Sequence, residues 1–217
     1  MDRPVLELCI KTLIAYLLGS LVGALVVGRV RGGVDIRSLG SGNAGGTNAL
    51  RTQGKWFALW VFIVDIGKGW LAAAWLPTRS IPGLHSSPAV DPLTITLLCG
   101  AAVVVGHVYP VWFSFRGGKG AATLLGVVLG IKPAALITVM LVWLAVVVLS
   151  GFVGLATILA TASFDIYLLF SSAYSAALLS FGALMTVLIL YTHRSNIARM
   201  RAGTEHRSLR LWLLRPR

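Results

Sequence analysis

A glycine-rich polar stretch, residues 39–51, carries the side chains best suited to chemistry, and we call it the first patch. It reads Leu-Gly-Ser-Gly-Asn-Ala-Gly-Gly-Thr-Asn-Ala-Leu-Arg and lies between two long apolar segments. Its hydroxyl, amide and guanidinium groups belong to Ser41, Asn43, Thr47, Asn48 and Arg51. Successive exposed N–H groups in such a loop form a concavity that suits an anion. The glycine spacing fits neither the P-loop nor the dinucleotide fingerprint, and a flexible connector is the alternative interpretation.

A second patch, residues 106–120, ends in Gly117, Gly118, Lys119 and Gly120 and leads directly into an apolar segment. We call these last four residues the glycine–lysine loop. At the start of a helix, free N–H groups and the positive end of the helix dipole favour an anion. The Lys119 ammonium adds a full positive charge, so this loop is a candidate phosphate cradle.

A third patch, residues 193–205, follows the last apolar segment. His193 and Asn196 are three positions apart on a predicted helical extension, and therefore face the same way. Arg194 or Arg199 is suited to grip a second phosphate together with Arg51, because guanidinium groups bind phosphate in a bidentate manner.

Two charged residues, Asp65 and Lys68, lie inside the second apolar segment. Their spacing predicts an ion pair on one helix face. An ionisable residue within a membrane span suggests a functional site, and an ion pair that joins two helices is the alternative. No His/Cys/Asp cluster with metal-ligand spacing and no nucleotide-binding motif occurs in the sequence, so neither a metal nor a cofactor is expected.

The composition indicates an integral membrane protein. Of the 217 residues, 57% are hydrophobic and 12% are charged, and the mean hydropathy is +0.84. The net charge of +12 resides mainly in loops and in the tail. Membrane topology and anionic head groups or substrates therefore explain it better than nucleic acid, which we do not expect as a partner. Cys9 and Cys99 fall in apolar runs and are expected to be core residues.

The apolar segments predict an all-α, polytopic protein, a compact bundle of seven helices with a short fourth. Five spans is the competing count. Each long segment is able to cross about 30 Å of hydrocarbon. The expected helices cover residues 6–28, 56–76, 93–105, 121–131, 133–150, 153–170 and 173–191. In the first of them, Gly19, Ser20 and Gly23 predict a close approach of another helix, and Glu7 and Lys11 are expected to reach the membrane interface.

The basic loop at residues 29–55 is predicted to be cytoplasmic by the positive-inside rule, which places the N-terminus outside. Both span counts are odd, so the C-terminus lies on the cytoplasmic side with the three patches. Residues 77–92 are expected to form an external connector. We expect a single domain, residues 1–217, whose residues 208–217 form a basic tail that anchors to anionic lipid.

The three patches together resemble the three motifs of the acyl-phosphate:glycerol-3-phosphate acyltransferases, the PlsY family of bacteria. The matching residues are 39–51, Gly106-His-Val-Tyr-Pro110 with Phe115-Arg-Gly-Gly-Lys-Gly120, and His193-Arg-Ser-Asn-Ile-Ala-Arg199 with Gly203-Thr-Glu205. They stand in the family's order, and residues 65–69 match its second helix. The resemblance covers residues 10 to 207.

This resemblance implies a seven-helix enzyme of the bacterial inner membrane with its active site at the cytoplasmic face. Such enzymes transfer a fatty acyl group from acyl phosphate to the 1-hydroxyl of glycerol 3-phosphate. The products are lysophosphatidic acid and inorganic phosphate, in the first acylation of phospholipid synthesis. Neither acyl-CoA nor acyl-carrier protein is the donor, and no cofactor is implied. Acyl phosphate, glycerol 3-phosphate and membrane lipid are the expected partners, and the chain is expected to be a monomer.

The resemblance also implies which residues form the site. Ser41, Arg51 and His193 are the expected catalytic residues. The expected substrate-binding residues are Asn43, Thr47, Asn48, Lys68, His107, Gly117, Gly118, Lys119, Gly120, Asn196 and Glu205. Among the departures from the family pattern, Gly46 replaces a usual alanine, which is expected to be harmless, and Thr192 replaces a frequent arginine.

The reaction needs placement of a hydroxyl and neutralisation of phosphate charge, because acyl phosphate is already an activated mixed anhydride. Lys119 and its glycines are expected to hold the leaving phosphate, and Arg51 and Asn196 the phosphate of the acceptor. The general base is either His193 or a phosphate oxygen of the substrate. Ser41 is expected to orient the substrate or bind the oxyanion, with covalent catalysis as the alternative.

Two other function classes compete with this interpretation. Broken helices and the Asp65–Lys68 pair would suit a transporter for a phosphorylated metabolite. However, no internal repeat is visible, and the polar patches are all predicted on one side. A non-catalytic lipid-binding protein would have no need of three such patches.

Overall fold

Helices account for the regular structure of the chain in the computed structural model, which describes residues 3–81, 90–171, 175–209 and 211–214. No β-strand occurs in those ranges, so the all-α prediction is confirmed. The α-helices there are α1 Arg3–Gly19, α2 Gly23–Val30, α3 Gly46–Gln53, α4 Lys55–Trp70, α5 Pro92–Val108, α6 Ala121–Ile131, α7 Ala135–Ser150, α8 Val153–Leu169, α9 Ala176–Thr192 and α10 Arg194–Arg201. Half of the predicted external connector (residues 82–89) and parts of the tail (210 and 215–217) lie outside the described residues.

The chain forms two compact units, Met1–Ile131 and Lys132–Arg217. In the first unit α1 packs on α5, and α4 packs on α2, α3 and α6. In the second unit α8 packs between α7 and α9, and the short α10 lies against α8 and α9. The first and second patches belong to the first unit, and the third patch belongs to the second.

Within the described residues, two continuous helices are long and apolar enough to cross a membrane. One is Lys55–Thr78, with 24 residues, in which α4 continues through the π-helical turn Leu71–Trp75. The other is Pro92–Phe113, with 22 residues. The number rises to four if each of two bent helix pairs counts as one span, and α6, α7 and α8 are shorter apolar helices.

The first predicted helix is broken, so the expectation of one element over residues 6–28 is wrong. α1 and α2 meet at an angle of 51°. The predicted close approach of other helices is confirmed on both sides of the break. A Cβ added at Gly19 would strike the backbone of Val103 in α5, and one added at Gly23 would lie 2.8 Å from the carbonyl oxygen of Val61 in α4. The small residues bring three helices together where the chain changes direction.

The ion pair near the start of α1 lies inside the protein, so its predicted reach to the interface is wrong. Glu7 is 4% exposed and Lys11 is 2% exposed. The Lys11 Nζ lies 2.7 Å from a Glu7 carboxylate oxygen and donates to the carbonyl of Pro77 at 2.9 Å. A buried lysine needs such partners because burying an unpaired charge is costly.

The first patch packs on an apolar core. Val22, Ile36 and Val61 are fully buried, and they pack together with Ala44, Ala49 and Phe57. These side chains come from the residue before α2, from α3 and α4, from the segment that leads into the patch, and from the patch itself. The core therefore fixes the position of a loop whose own residues are mostly glycine and polar.

Candidate active site

The first patch is organised by the side chain of Asn48, which is 2% exposed. Its Oδ1 accepts a hydrogen bond from the backbone N–H of Ser41 at 3.0 Å. Its Nδ2 donates to the carbonyl groups of Ile36, Leu39 and Asn43, at 3.2, 2.9 and 3.1 Å. One buried amide thus satisfies backbone groups of an irregular loop that has few partners of its own. Asn48 shapes the loop from inside.

The other polar side chains of the first patch lie nearer the surface. Ser41 and Arg51 are exposed, and Asn43 and Thr47 are half-buried. Thr47 and Arg51 belong to α3, which begins at Gly46, so the second half of the patch is helical. A hydroxyl at 47 and a guanidinium at 51, four positions apart, lie on the same side of that helix.

Gly46 packs against the ring of Phe62. A Cβ added there would lie 2.5 Å from that ring, well inside normal van der Waals separation. This chain therefore accommodates glycine at the start of α3, and an alanine there would require the Phe62 ring to move; that the departure from alanine is harmless stays a prediction. The signal was absent from the local sequence, since Phe62 is sixteen positions away.

The glycine–lysine loop returns along the end of α5. The N–H of Gly117 donates to the carbonyl of Val108 at 3.1 Å, and the N–H of Gly118 donates to that of His107 at 3.1 Å. A Cβ at Gly118 would collide with the His107 ring and lie 2.8 Å from the carbonyl oxygen of Ala44. Only glycine fits between these groups, so the second patch meets the first at this point. Lys119 follows as a half-buried side chain directly before α6.

A salt bridge ahead of the first patch also reaches the second. Asp35 accepts hydrogen bonds from the Arg37 guanidinium at 2.7 and 3.0 Å. These bonds hold the pKa of the Asp35 carboxyl below its usual value and raise the pKa of Arg37. Arg37 Nη1 donates to the carbonyl groups of Phe113 and Arg116, at 3.1 and 3.0 Å. Neither residue was predicted from the sequence to belong to the site; their one visible signal there was a single acid in a basic loop.

Asp65 and Lys68 of α4 form a buried cluster with His107, a residue of the second patch. Asp65 is 0% exposed, Lys68 3% and His107 2%. The predicted Asp65–Lys68 pair is present, with 2.9 Å between Nζ and Oδ1. His107 Nδ1 lies 2.9 Å from Lys68 Nζ and 3.2 Å from Asp65 Oδ1.

The same cluster supplies hydrogen-bond partners for the backbone groups at the break between α1 and α2. Lys68 Nζ donates to the carbonyl groups of Gly19 and Leu21, each at 2.9 Å, and Asp65 Oδ1 accepts from the N–H of Gly23 at 2.9 Å. Carbonyl groups at the end of one helix and an N–H at the start of the next lack partners within those helices. Lys68 Nζ and His107 Nδ1 thus have partners within the protein, and the substrate contacts of these two residues stay a prediction.

The third patch begins at a second bend. The predicted helical extension is present as a separate helix: α10 meets α9 at 54°, and His193 lies at the junction. His193 is 5% exposed, and its Nδ1 lies 2.8 Å from the carbonyl oxygen of Ile189. A carbonyl accepts only, so Nδ1 carries a proton and Nε2 is the unprotonated nitrogen of the neutral ring.

Glu205 holds two residues of α10. Its carboxylate accepts from Asn196 Nδ2 at 2.6 Å and from Arg199 Nε at 2.6 Å, and its side chain is 4% exposed. Asn196 also packs on α8, where a Cβ at Gly154 would lie 3.0 Å from its side chain. Glu205 therefore orients Asn196 and Arg199 in the second unit.

The tail continues from the third patch and packs on the turn between α7 and α8. The Arg207 guanidinium stacks on the rings of Phe152 and Trp212, at 4.6 and 4.2 Å. Trp212 Nε1 donates to the carbonyl of Leu149 at 3.1 Å. Leu209, Leu213 and Leu214 are more than half exposed, which suits the predicted contact with lipid.

Comparison with known proteins places these features in a family. The family model described as glycerol-3-phosphate acyltransferase matches residues 9–203. A glycerol-3-phosphate acyltransferase of Aquifex aeolicus is 40% identical, over 89% of this chain and 95% of the relative. One of Chlorobaculum tepidum is 36% identical, over 89% of this chain and 93% of the relative.

Two solved structures are similar over nearly the full length. Both are crystal structures of PlsY (YgiH), an integral membrane glycerol 3-phosphate acyltransferase. The glycerol 3-phosphate form has a TM-score of 0.79 and 36% identity, and covers 92% of this chain and 94% of that chain. The lysophosphatidic acid form has a TM-score of 0.78 and 34% identity, and covers 94% and 97%.

Proposed function

The chain belongs to the glycerol-3-phosphate acyltransferase family, and on that premise we propose that it transfers a fatty acyl group from acyl phosphate to the 1-hydroxyl of glycerol 3-phosphate. The products are lysophosphatidic acid and inorganic phosphate, in the first acylation of phospholipid synthesis. The match to the family over residues 9–203 carries this proposal. The polar patches support it because they present hydroxyl, amide and cationic groups suited to phosphorylated compounds.

The proposal includes a topology. The bent pair α1–α2 is the first of seven membrane-embedded segments, with α6 as the short fourth. The N-terminus is outside, and the C-terminus and the three patches face the cytoplasm across the bacterial inner membrane. The excess of arginine and lysine in these loops supports this orientation. The enzyme acts as a monomer in contact with membrane lipid.

In the first unit, each substrate-binding role follows from charge and position. Lys119 and the N–H groups at the start of α6 hold the phosphate of acyl phosphate, where the helix dipole favours an anion. Arg51 on α3 binds the phosphate of glycerol 3-phosphate. Ser41 donates a hydrogen bond from its exposed hydroxyl, and Asn43 and Thr47 supply further polar contacts.

In the second unit, His193 and Asn196 supply polar groups whose orientation is fixed. The Ile189 carbonyl places the proton of the neutral His193 ring on Nδ1, so Nε2 is the nitrogen through which this ring would accept a proton. Glu205 orients the Asn196 amide, which supports a role in binding the acceptor substrate. The proton of the acceptor hydroxyl goes either to His193 Nε2 or to a phosphate oxygen of the substrate.

The chemical step is a single acyl transfer. The acceptor oxygen attacks the carbonyl carbon of acyl phosphate, the carbon–oxygen bond to phosphate breaks, and inorganic phosphate leaves with the bonding electrons. Because the donor is already activated, the protein contributes mainly placement and charge neutralisation. Lys119 and the glycine–lysine loop stabilise the charge on the leaving phosphate.

The direct test measures phosphate release by the purified protein given palmitoyl phosphate, with and without glycerol 3-phosphate, and with palmitoyl-CoA as a parallel donor. We expect acceptor-dependent release with formation of lysophosphatidic acid, and no reaction with the CoA ester. Release without acceptor would indicate a hydrolase or an acylated Ser41. An intact protein without turnover would contradict the proposal and favour the transporter.

Two substitutions separate the phosphate-binding roles. Arg51→Ala is expected to raise the KM for glycerol 3-phosphate by about ten- to 100-fold, as the loss of a charge-assisted hydrogen bond predicts. Lys119→Ala is expected to impair the use of acyl phosphate by a similar factor. Arg31→Ala, on an exposed arginine of the loop before the first patch, is the matched control. Wild-type kinetics in both site variants would rule out these roles.

A further inference from the structure

Arg37 is the residue through which the segment before the first patch reaches the second. Its Nε and Nη2 are occupied by the Asp35 carboxylate, and its backbone N–H donates to the same carboxylate at 2.9 Å. The remaining Nη1 donates to two carbonyl groups of the second patch. The guanidinium is therefore held in one orientation by its own neighbour and directed at a distant loop.

The loop that Arg37 contacts contains two successive non-glycine residues with left-handed backbone conformation. Ser114 has φ 56° and Phe115 has φ 57°. Residues with a Cβ adopt this region at a cost, and such strain persists only where surrounding contacts enforce it. The carbonyl groups that bind Nη1 belong to Phe113 and Arg116, the residues directly before and after the pair. One nitrogen atom thus holds both ends of the strained turn.

This turn determines where the glycine–lysine loop begins. It reverses the chain after α5, with the N–H of Phe115 donating to the carbonyl of Pro110 at 2.9 Å. Gly117 and Gly118 then bond back to the end of α5, at the carbonyl groups of Val108 and His107. Lys119 and the first N–H groups of α6 follow immediately. A shift of the turn would displace these groups together.

We propose that Arg37, oriented by Asp35, is a positioning residue that holds the Ser114–Phe115 turn and thereby sets the affinity of the glycine–lysine loop for acyl phosphate. The inference rests on the proposed function, because it assigns the donor phosphate to that loop. Arg37 acts through the loop, since its donors are directed at Asp35 and the two carbonyl groups. Arginine is required because a lysine ammonium does not offer the same planar fork to a carboxylate and a carbonyl pair.

The test measures initial rates of lysophosphatidic acid formation by full-length purified variants, with each substrate varied in turn. Arg37→Ala is expected to raise the KM for palmitoyl phosphate by about tenfold, and to leave the KM for glycerol 3-phosphate within about twofold of wild type. Arg37→Lys is expected to recover only part of this loss. Arg31→Ala is the control for removing one positive charge from the same loop.

A second measurement tests whether the strain of the Ser114–Phe115 turn causes the rise in KM, which a general loss of stability would not explain. Glycine adopts left-handed conformations without penalty, so Ser114→Gly with Phe115→Gly is expected to reduce the KM penalty of Arg37→Ala to about threefold or less, a non-additivity that a double-mutant cycle measures. Asp35→Asn, which keeps Arg37 but weakens its orientation, is expected to raise the same KM by a smaller factor. The Asp35→Asn variant replaces Arg37→Ala in the test if Arg37→Ala does not fold.

Each outcome decides the matter. A wild-type KM for palmitoyl phosphate in Arg37→Ala or Asp35→Asn would overturn the inference, as would equal rises in both KM values. An undiminished penalty in the glycine background would also overturn it. An inactive wild-type protein would overturn the proposed function itself, which distinguishes the two failures.

Discussion

Two buried lysines of the first unit, Lys11 and Lys68, make similar contacts between α1 and the continuous helix Lys55–Thr78. Lys11 in α1 donates to the carbonyl of Pro77, in the last turn of the continuous helix Lys55–Thr78, and Lys68 in α4 donates to the carbonyl of Gly19, at the end of α1. The two helices therefore run antiparallel, and each supplies a cation to the carbonyl end of the other. A cation is favourable there because the C-terminal carbonyl groups carry partial negative charge.

The two lysines also have equivalent acidic partners. Glu7 lies one helical turn before Lys11, and Asp65 one turn before Lys68, with nitrogen–oxygen distances of 2.7 and 2.9 Å. All four side chains are at most 5% exposed. As ion pairs inside a membrane protein, both are expected to support the fold.

The difference between the clusters is what else they touch. The Lys68 cluster includes His107, and the His107 ring packs on Gly118 of the glycine–lysine loop. It also binds the N–H and carbonyl groups at the α1–α2 break. The Lys11 pair is joined to the carbonyl of Pro77 by a hydrogen bond from Lys11 Nζ. We therefore expect the buried ion pair at Lys11 to support stability, and the one at Lys68 to support stability and also to position the candidate site.

The largest expected effect comes from removing each lysine. Lys11→Met takes the lysine donor from the buried Glu7 carboxylate and the Pro77 carbonyl, and Lys68→Met takes it from Asp65 and from the carbonyl groups of Gly19 and Leu21, while Asp65 keeps the N–H of Gly23. Each substitution is expected to lower the free energy of unfolding by about 3–5 kcal/mol. Activity of the folded fraction is expected to fall at least about 100-fold in Lys68→Met, and to stay near wild type in Lys11→Met. Thermal unfolding in detergent and specific activity of the folded fraction measure the two effects.

Near wild-type activity in both folded variants would show that the Lys68 cluster is purely structural and does not position the site. Loss of activity in both would instead mean that the Lys11 end also positions the site. Comparing Lys11→Met with Lys68→Met separates stability from activity, because the two lysines are similarly buried and lose the same types of bond.

An intermediate effect is expected for the histidine that distinguishes the clusters. His107→Leu removes the contact with Lys68 and changes the surface under Gly118, and is expected to lower kcat/KM by about tenfold to 100-fold. Cys99→Ala, a fully buried change on the same helix, is the control, with a stability loss of about 1 kcal/mol and no loss of activity. A His107→Leu variant as active as Cys99→Ala would remove His107 from the positioning role.

The smallest effect is expected for glycine substitutions beside the Lys68 cluster. Gly23→Ala would place a methyl group 3.0 Å from Asp65 Oδ1, so it is expected to shift that carboxylate and to cost about 1–2 kcal/mol of stability. Gly67→Ala, in α4, meets open space and is expected to be neutral or to stabilise by up to about 1 kcal/mol. Identical unfolding temperatures in the two variants would show that the α1–α2 break tolerates displacement.

Sequence reasoning found the local features of this region and missed its long-range contacts. The Asp65–Lys68 pair was predicted from a spacing of three, and the close helix approach from small residues near 19 and 23. The break at residues 20–22 was missed because no proline marks it; its carbonyl groups are satisfied by Lys68, almost fifty positions away. Burial of Glu7 and Lys11 was missed for the same reason, since Pro77 is distant in the chain.

The sequence by itself determined the helical, membrane-embedded character of the protein, the three polar patches and their family, because these depend on composition, apolar length and local order. Only the tertiary structure decided that Asn48 shapes its loop from inside, that Arg37 holds a turn of the second patch, and that Glu205 orients Asn196. The physical reason is that a buried polar group takes the nearest partner in space, and the sequence does not say which distant backbone groups the packing of helices brings within reach.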